Sequence, residues 1–213
     1  MSEVVSAVDL KIGYSSSSVL ASIDNLQIDK GEIVSIIGES GIGKTTLLRN
    51  IAKLQKPLDG ELLIFGSSSY PGRGDVGYIP QKLGLVKHET VYFNVLKGAI
   101  CHESIVKSIF GLHDQKVVDK VEESISLMKL IDKMDSPVKQ LSGGQQRRVA
   151  IARTMAQGAK LILADEFLSE LDDKTGDTVW NVMHDYVKSN QITLIIVEHN
   201  IERAKLADRC FKL

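Results

Sequence analysis

Ile33-Val-Ser-Ile-Ile37-Gly38-Glu-Ser-Gly-Ile-Gly43-Lys44-Thr45-Thr-Leu-Leu-Arg-Asn-Ile-Ala52 reads as three local structures in a row. Ile33 to Ile37 is strand-length, aliphatic and apolar on both faces, as a parallel sheet covered by helices requires. Gly38 to Thr45 has the spacing G-x-x-x-x-G-K-[ST] of a phosphate-binding loop. Its glycines let the backbone turn tightly, so that N–H groups converge on phosphate oxygens. A helix starting near Lys44 adds its positive end. Lys44 is then the cation for the β and γ phosphates, and the Thr45 hydroxyl faces Mg²⁺. The expected nucleotide contacts are Gly38, Glu39, Ser40, Gly41, Ile42, Gly43, Lys44, Thr45 and Thr46.

Two further aliphatic runs, Leu161-Ile-Leu-Ala164 and Thr193-Leu-Ile-Ile-Val197, have the same buried-strand character and also end in polar residues. Ligands in open α/β sheets lie beyond the carboxyl ends of the strands, so those polar residues are the next candidates. The first run ends in Asp165-Glu166. Asp165 suits Mg²⁺, which takes few carboxylates and keeps waters. Glu166 suits the general base that orients and polarises the attacking water. The second run leads to His199, which by itself would be read as a structural hydrogen-bonding residue.

The segment Leu141-Ser142-Gly143-Gly144-Gln145-Gln146-Arg147-Arg148 precedes an alanine-rich helical stretch. Ser142 with Gln145 three residues on forms the pattern of a capping box. Gly143 and Gly144 leave backbone N–H groups open at the helix start, a second anion site. One nucleotide needs one cradle, so two in one chain point to a head-to-tail dimer sharing two nucleotides. With these residues in place, the chain resembles the ATP-binding cassette (ABC) ATPases over essentially its whole length. Leu141 to Gln145 looks like their signature, which closes over the γ-phosphate held by the partner's Walker A loop.

The resemblance implies further roles. Gln81, in Tyr78-Ile-Pro-Gln81, is similar to the glutamine that reaches Mg²⁺ or the attacking water and senses the transmembrane partner. Asp172 is similar to the aspartate that works across the dimer interface. His199 is similar to the histidine that contacts the γ-phosphate, and Tyr14 to the aromatic that stacks on adenine. The catalytic set is therefore Glu166, His199, Lys44 and Gln81, and the metal set Thr45, Gln81 and Asp165. The chain departs from the family pattern at Phe167, where a proline is usual, and at Glu170, where an alanine is usual. The Glu170 charge is expected near the dimer interface.

The implied architecture is α/β: a P-loop NTPase core of mainly parallel sheet flanked by helices. Val4 to Ile12, Ser18 to Ile28 and Gly60 to Phe65 are expected as antiparallel strands of an N-terminal β subdomain, beside the first buried strand. Val117, Val118, Val121, Ile125, Met128, Leu130 and Ile131 recur at near-helical spacing and place an inserted helical subdomain over about 88–148. Trp180 falls among Val179, Val182 and Met183 and is expected in the core. The 213 residues are read as one nucleotide-binding domain, 1–213, which leaves the shared site incomplete without a dimer.

Composition bounds the function. Lys and Arg number 26 against 27 Asp and Glu, for a net charge of -1, which argues against a nucleic-acid partner. Cys101 and Cys210 lack the spacing of a zinc site or a disulfide framework. Met1 to Leu10 has no signal-peptide pattern, and the longest apolar runs fall far short of the ~20 residues of a spanning helix. The expectation is a cytoplasmic ATPase, peripheral on the inner face of the membrane, that hydrolyses ATP with Mg²⁺ and energises a separate permease. It acts as a homodimer or paired with another cassette, with a solute-binding protein as an additional partner if it is an importer. Asn94-Val-Leu-Lys-Gly98 and Phe110-Gly-Leu112 are similar to the phosphonate-type importer ATPases. A non-transport ABC ATPase, or an exporter or lipoprotein-release ATPase subunit, stands as the alternative. A GTPase is disfavoured because no Asn-Lys-x-Asp motif occurs.

Overall fold

The computed structural model describes residues 3–103 and 113–213. Phe110 to Leu112 lies outside the described residues. In chain order the strands and helices are β1 (Glu3–Ser15), β2 (Ser18–Asp29), β3 (Ile33–Ile37), α1 (Lys44–Ile51), β4 (Asp59–Ile64), β5 (Val76–Ile79), α2 (Val91–Ala99), α3 (Gln115–Leu127), α4 (Gly143–Gln157), β6 (Leu161–Asp165), α5 (Asp173–Ser189), β7 (Thr193–Val197), α6 (Ile201–Ala204) and β8 (Arg209–Lys212). They divide into two compact units. One comprises Met1–Gly72, Lys160–Glu166 and Val187–Leu213, the other Arg73–Ala159 and Phe167–Tyr186.

The first unit holds a parallel arrangement in the order β6-β7-β3-β8. Every residue of β6 and β7 is buried, and so are Ile33 to Ile36 of β3. This is the apolar-on-both-faces pattern that the sequence predicts for these runs. Because the strands are parallel, their carboxyl ends share one edge, and the polar residues after Ile37, Ala164 and Val197 emerge together there.

The three N-terminal strands pair with one another in a separate antiparallel sheet, β2-β1-β4, rather than with β3. Their phase is not a simple alternation. Val5 and Ala7 are buried on β1, then Leu10 and Ile12. The change of parity falls at Asp9, which takes φ 48° and sits at a register shift against β4. One extra residue on β1 is a β-bulge, and it returns the apolar side chains to the core face. Gly60 of β4 is required opposite it, since a Cβ there would lie 2.2 Å from the Asp9 carbonyl oxygen.

The second unit is mainly helical and contains the 88–148 block. α2 and α3 pack against each other and against α4, whose Val149, Ala150, Ile151, Ala152, Met155 and Ala156 are all buried. A helix apolar on so much of its circumference belongs at the centre of its unit. The Asn94 to Gly98 run explains itself here. Asn94 is 1% exposed, accepts from the Val86 N–H at 2.8 Å and donates to the Val86 and Thr90 carbonyls. Gly98 faces α4 so closely that a Cβ would lie 2.0 Å from the Arg153 carbonyl oxygen. The Ile131 reading differs, for its side chain is 51% exposed. The helical period ends at Leu127, and a 3₁₀ turn at Ile131–Lys133 turns that position outward.

Trp180 is buried as expected, and its ring lies 6.3 Å from that of Phe167, itself fully buried. The departure at Phe167 thus supplies a core aromatic for α5. Gly98→Ala must push α2 away from α4. Overpacking of this kind costs about 1–3 kcal/mol, and the loss is expected as a lower urea midpoint at unchanged slope.

Candidate functional site

Residues 38–43 form the loop between β3 and α1, and Lys44 and Thr45 open the helix. Gly43 precedes the helix at φ 114°, a conformation a side chain resists, and no side chain caps α1. The first helical N–H groups are therefore left for an anion. Gly43 is also pressed from behind, where a Cβ would lie 3.2 Å from Ile12 and Leu20 atoms. Glu39 to Gly41 are exposed at the tip. The Lys44 side chain folds back across the loop, and its Nζ donates to the Gly38 and Glu39 carbonyls at 2.8 Å each. Lys44 is 5% exposed, so its charge is held inside the loop rather than in open solvent.

The next residue joins this loop to β6. Thr45 Oγ1 donates to Asp165 Oδ1 at 3.1 Å. Asp165 Oδ2 is buried and has no hydrogen-bond donor among the described residues. Burial pushes the Asp165 carboxyl above the usual range, with the Glu166 charge adding to the rise and the Thr45 hydrogen bond opposing it. A buried carboxylate oxygen without a donor, beside a hydroxyl, is a donor set that fits a small hard cation such as Mg²⁺.

Glu166 follows in a left-handed conformation at φ 52°, with its N–H donating to the Val197 carbonyl. Strained backbone of this kind persists where the surroundings over-determine it. His199 Nε2 meets Glu166 Oε1 at 2.8 Å. The histidine is steadied by the turn after it, in which Asn200 Oδ1 accepts from the Glu202 and Arg203 N–H groups. Thus Lys44, Thr45, Asp165, Glu166 and His199 all lie in one unit, at the shared edge of the parallel strands. Tyr14, at the end of β1, is 71% exposed and presents a free ring.

The sequence reading missed Glu198. It is 7% exposed, and its Oε1 is buried without a donor among the described residues. Burial lifts its carboxyl to about 7; Arg203 works against the rise and the Glu166 charge works with it. The only signal in the sequence was a carboxylate directly after an aliphatic strand, the same signal that singled out Asp165.

The remaining predicted residues belong to the second unit. The Ser142 capping box is formed in full. The Ser142 N–H donates to Gln145 Oε1 at 2.9 Å, and the Gln145 N–H to Ser142 Oγ at 3.3 Å. Gly143 and Gly144 open α4 against the segment that carries Glu170 and Leu171. Asp172 Oδ1 accepts from the Thr175 N–H at 3.0 Å, a local contact that holds the first turn of α5. The hydrogen bonds from Thr175 lower the Asp172 carboxyl. Gln81 is exposed after β5. His102 and His184 make surface contacts, and His113 pairs with Glu103 at 2.8 Å. No cluster of metal-ligating His, Cys, Asp and Glu occurs among the described residues.

Glu198 yields a sign that can be checked. Its raised carboxyl favours folding fully below 4.5, and that contribution is lost as pH climbs through about 7. The whole rise amounts to about 3 kcal/mol. Glu198→Gln is expected to melt several degrees above the parent near pH 8 and about level with it near pH 4 or below.

Residues 22–169 match the family model described as "ABC transporter". The phosphonates import ATP-binding protein PhnC 1 of Halalkalibacterium halodurans is 40% identical over 189 residues, which span 85% of this chain and 74% of that protein. The phosphonates import ATP-binding protein PhnC of Lactobacillus gasseri is 41% identical over 192 residues, with 85% and 72% covered. The dimeric post-hydrolysis ATP-binding cassette MJ0796, bound to ADP and Pi, superposes with a TM-score of 0.85 at 28% identity, over 98% of this chain and 94% of that one.

Proposed function

The chain belongs to the ABC transporter family and is an ATP-binding, ATP-hydrolysing subunit; on that premise we propose that it energises an importer whose solute is a phosphonate or a related small oxyanion. The observation that carries the hydrolytic part is the Thr45–Asp165 and Glu166–His199 pairing at one strand edge. The solute class rests on the phosphonate import proteins to which the chain is similar. Among the described residues no helix is long and apolar enough to cross a membrane, which agrees with a peripheral subunit docked on a separate permease at the inner face. A solute-binding protein would complete such an importer. The whole chain acts as one domain, 1–213, with 88–148 as its helical insert.

In this reading the 38–46 loop wraps the phosphates of ATP and Tyr14 stacks on the adenine. Lys44 leaves the Gly38 and Glu39 carbonyls for the β and γ phosphates. Thr45 and Asp165 would hold Mg²⁺, which supplies charge neutralisation on the phosphates when bound. Glu166 orients a water for in-line attack, and the P–O bond to the leaving ADP breaks as the new one forms. His199 fixes the Glu166 carboxylate and contacts the γ-phosphate. The second cradle, Ser142 to Gln145, closes over the nucleotide of a second cassette, with Asp172 at the junction. Two such chains, or one chain and a similar cassette, enclose two ATP molecules. The dimeric cassette MJ0796 supports this arrangement.

Glu166→Gln is expected to bind ATP with near-parental affinity, to release phosphate roughly 100-fold or more slowly, and to accumulate as an ATP-bound dimer in sedimentation. Parental phosphate release by that variant would remove Glu166 from the mechanism. For the transport reading, the expected result is co-purification of a membrane permease and stimulation of ATP hydrolysis by phosphonate in the reconstituted complex. Stimulation by other solutes alone would overturn the solute class while leaving the ATPase intact.

A further inference from the structure

The positive end of α4 already has an anion seated against it. Glu170 Oε2 lies 3.1 Å from the position a Cβ on Gly143 would take. Glu170 Oε1 lies 3.7 Å from Nη2 of Arg147, a side chain that is 2% exposed. The backbone at Glu170 is left-handed, at φ 64°, and this turns the following Leu171 onto Gly144, where a Cβ would lie 3.1 Å from Leu171 Cδ2. The carboxylate thus fills space that exists because residue 143 has no side chain, and it faces both a helix N-terminus and a buried guanidinium. Its own side chain remains 64% exposed, so it can leave without breaking a core contact.

We infer that Glu170 is a built-in competitor for the positive end of α4, an autoinhibitory contact that closure of the ATP-bound dimer has to displace. The inference rests on the reading of Ser142 to Gln145 as the cradle for a second cassette's γ-phosphate. A carboxylate and a phosphate then contend for the same helix start and the same Arg147 field, and the carboxylate is tethered. While it stays in place, an approaching γ-phosphate meets a like charge in the seat intended for it. Two like charges roughly 5 Å apart in a largely aqueous setting repel enough to weaken association between about threefold and thirtyfold. Phe167, the other departure in this stretch, is buried in the core and holds the chain leading into the Glu170 turn.

The test compares Glu170→Gln and Glu170→Ala with the parent, each in a Glu166→Gln background that holds ATP. Gln keeps the shape and removes the charge; Ala removes both. Sedimentation of the full chain in Mg-ATP reads the monomer–dimer constant, and a salt series reads its electrostatic part. The expected result is dimerisation about threefold to thirtyfold tighter in both variants, with the gap to the parent narrowing as KCl rises. An unchanged constant in Glu170→Gln would overturn the inference. So would weaker dimerisation in both variants, since that assigns Glu170 to support of the signature helix through Arg147. If neither parent nor variants dimerise with ATP, while each still binds it, the cradle reading fails and the inference falls with it.

Discussion

The hydrogen bond from Thr45 to Asp165 ties together two strands that are not neighbours. β3 and β6 are separated by β7, and the bond bridges that gap at the carboxyl edge of the parallel strands. It can form because parallel pairing brings every strand to the same edge, and because α1 begins just after a loop that arches over that edge. Asp165 is left with one oxygen engaged and one buried without a donor among the described residues. Glu166 and His199 meet at the same edge, with the Glu166 N–H on the Val197 carbonyl and His199 Nε2 on Glu166 Oε1.

The same edge concentrates negative charge. Asp165, Glu166 and Glu198 lie within two adjoining strand ends, and burial raises two of the three carboxyls. Such a cluster is unfavourable on its own terms; Arg49 beside Asp165 and Arg203 beside Glu198 offset only part of the cost, so a further positive charge would stabilise it. Lys44 does not provide that charge, since its ammonium is occupied by loop carbonyls. The left-handed backbone at Glu166 adds local strain to the same edge.

Much was legible because the decisive signals are local. A phosphate-binding loop, a capping box and an aliphatic strand ending in carboxylates each occupy fewer than about ten consecutive residues, and each dictates its own backbone. The β3, α1 and β7 boundaries follow directly from those patterns. Non-local features were not legible. The bulge at Asp9 depends on register against β4, and simple alternation along β1 cannot reveal it. Glu198 reads as an ordinary acidic residue until the sheet buries it. Ile131 continued an apolar period that a 3₁₀ turn breaks.

The two departures from the family pattern show where the division lies. From the sequence, Phe167 was a missing proline and Glu170 an added charge near an interface. In the fold, Phe167 is a core aromatic packed near Trp180, and Glu170 lies against the first residue of α4. The sequence alone determined the chemistry available: which groups can hold phosphate, cation and water, since residue type and spacing carry that information. Only the tertiary structure decided which of those groups meet, which are desolvated and which charge sits on a helix end. Desolvation and electrostatic contact depend on distances between residues remote in the chain, and no local pattern encodes them.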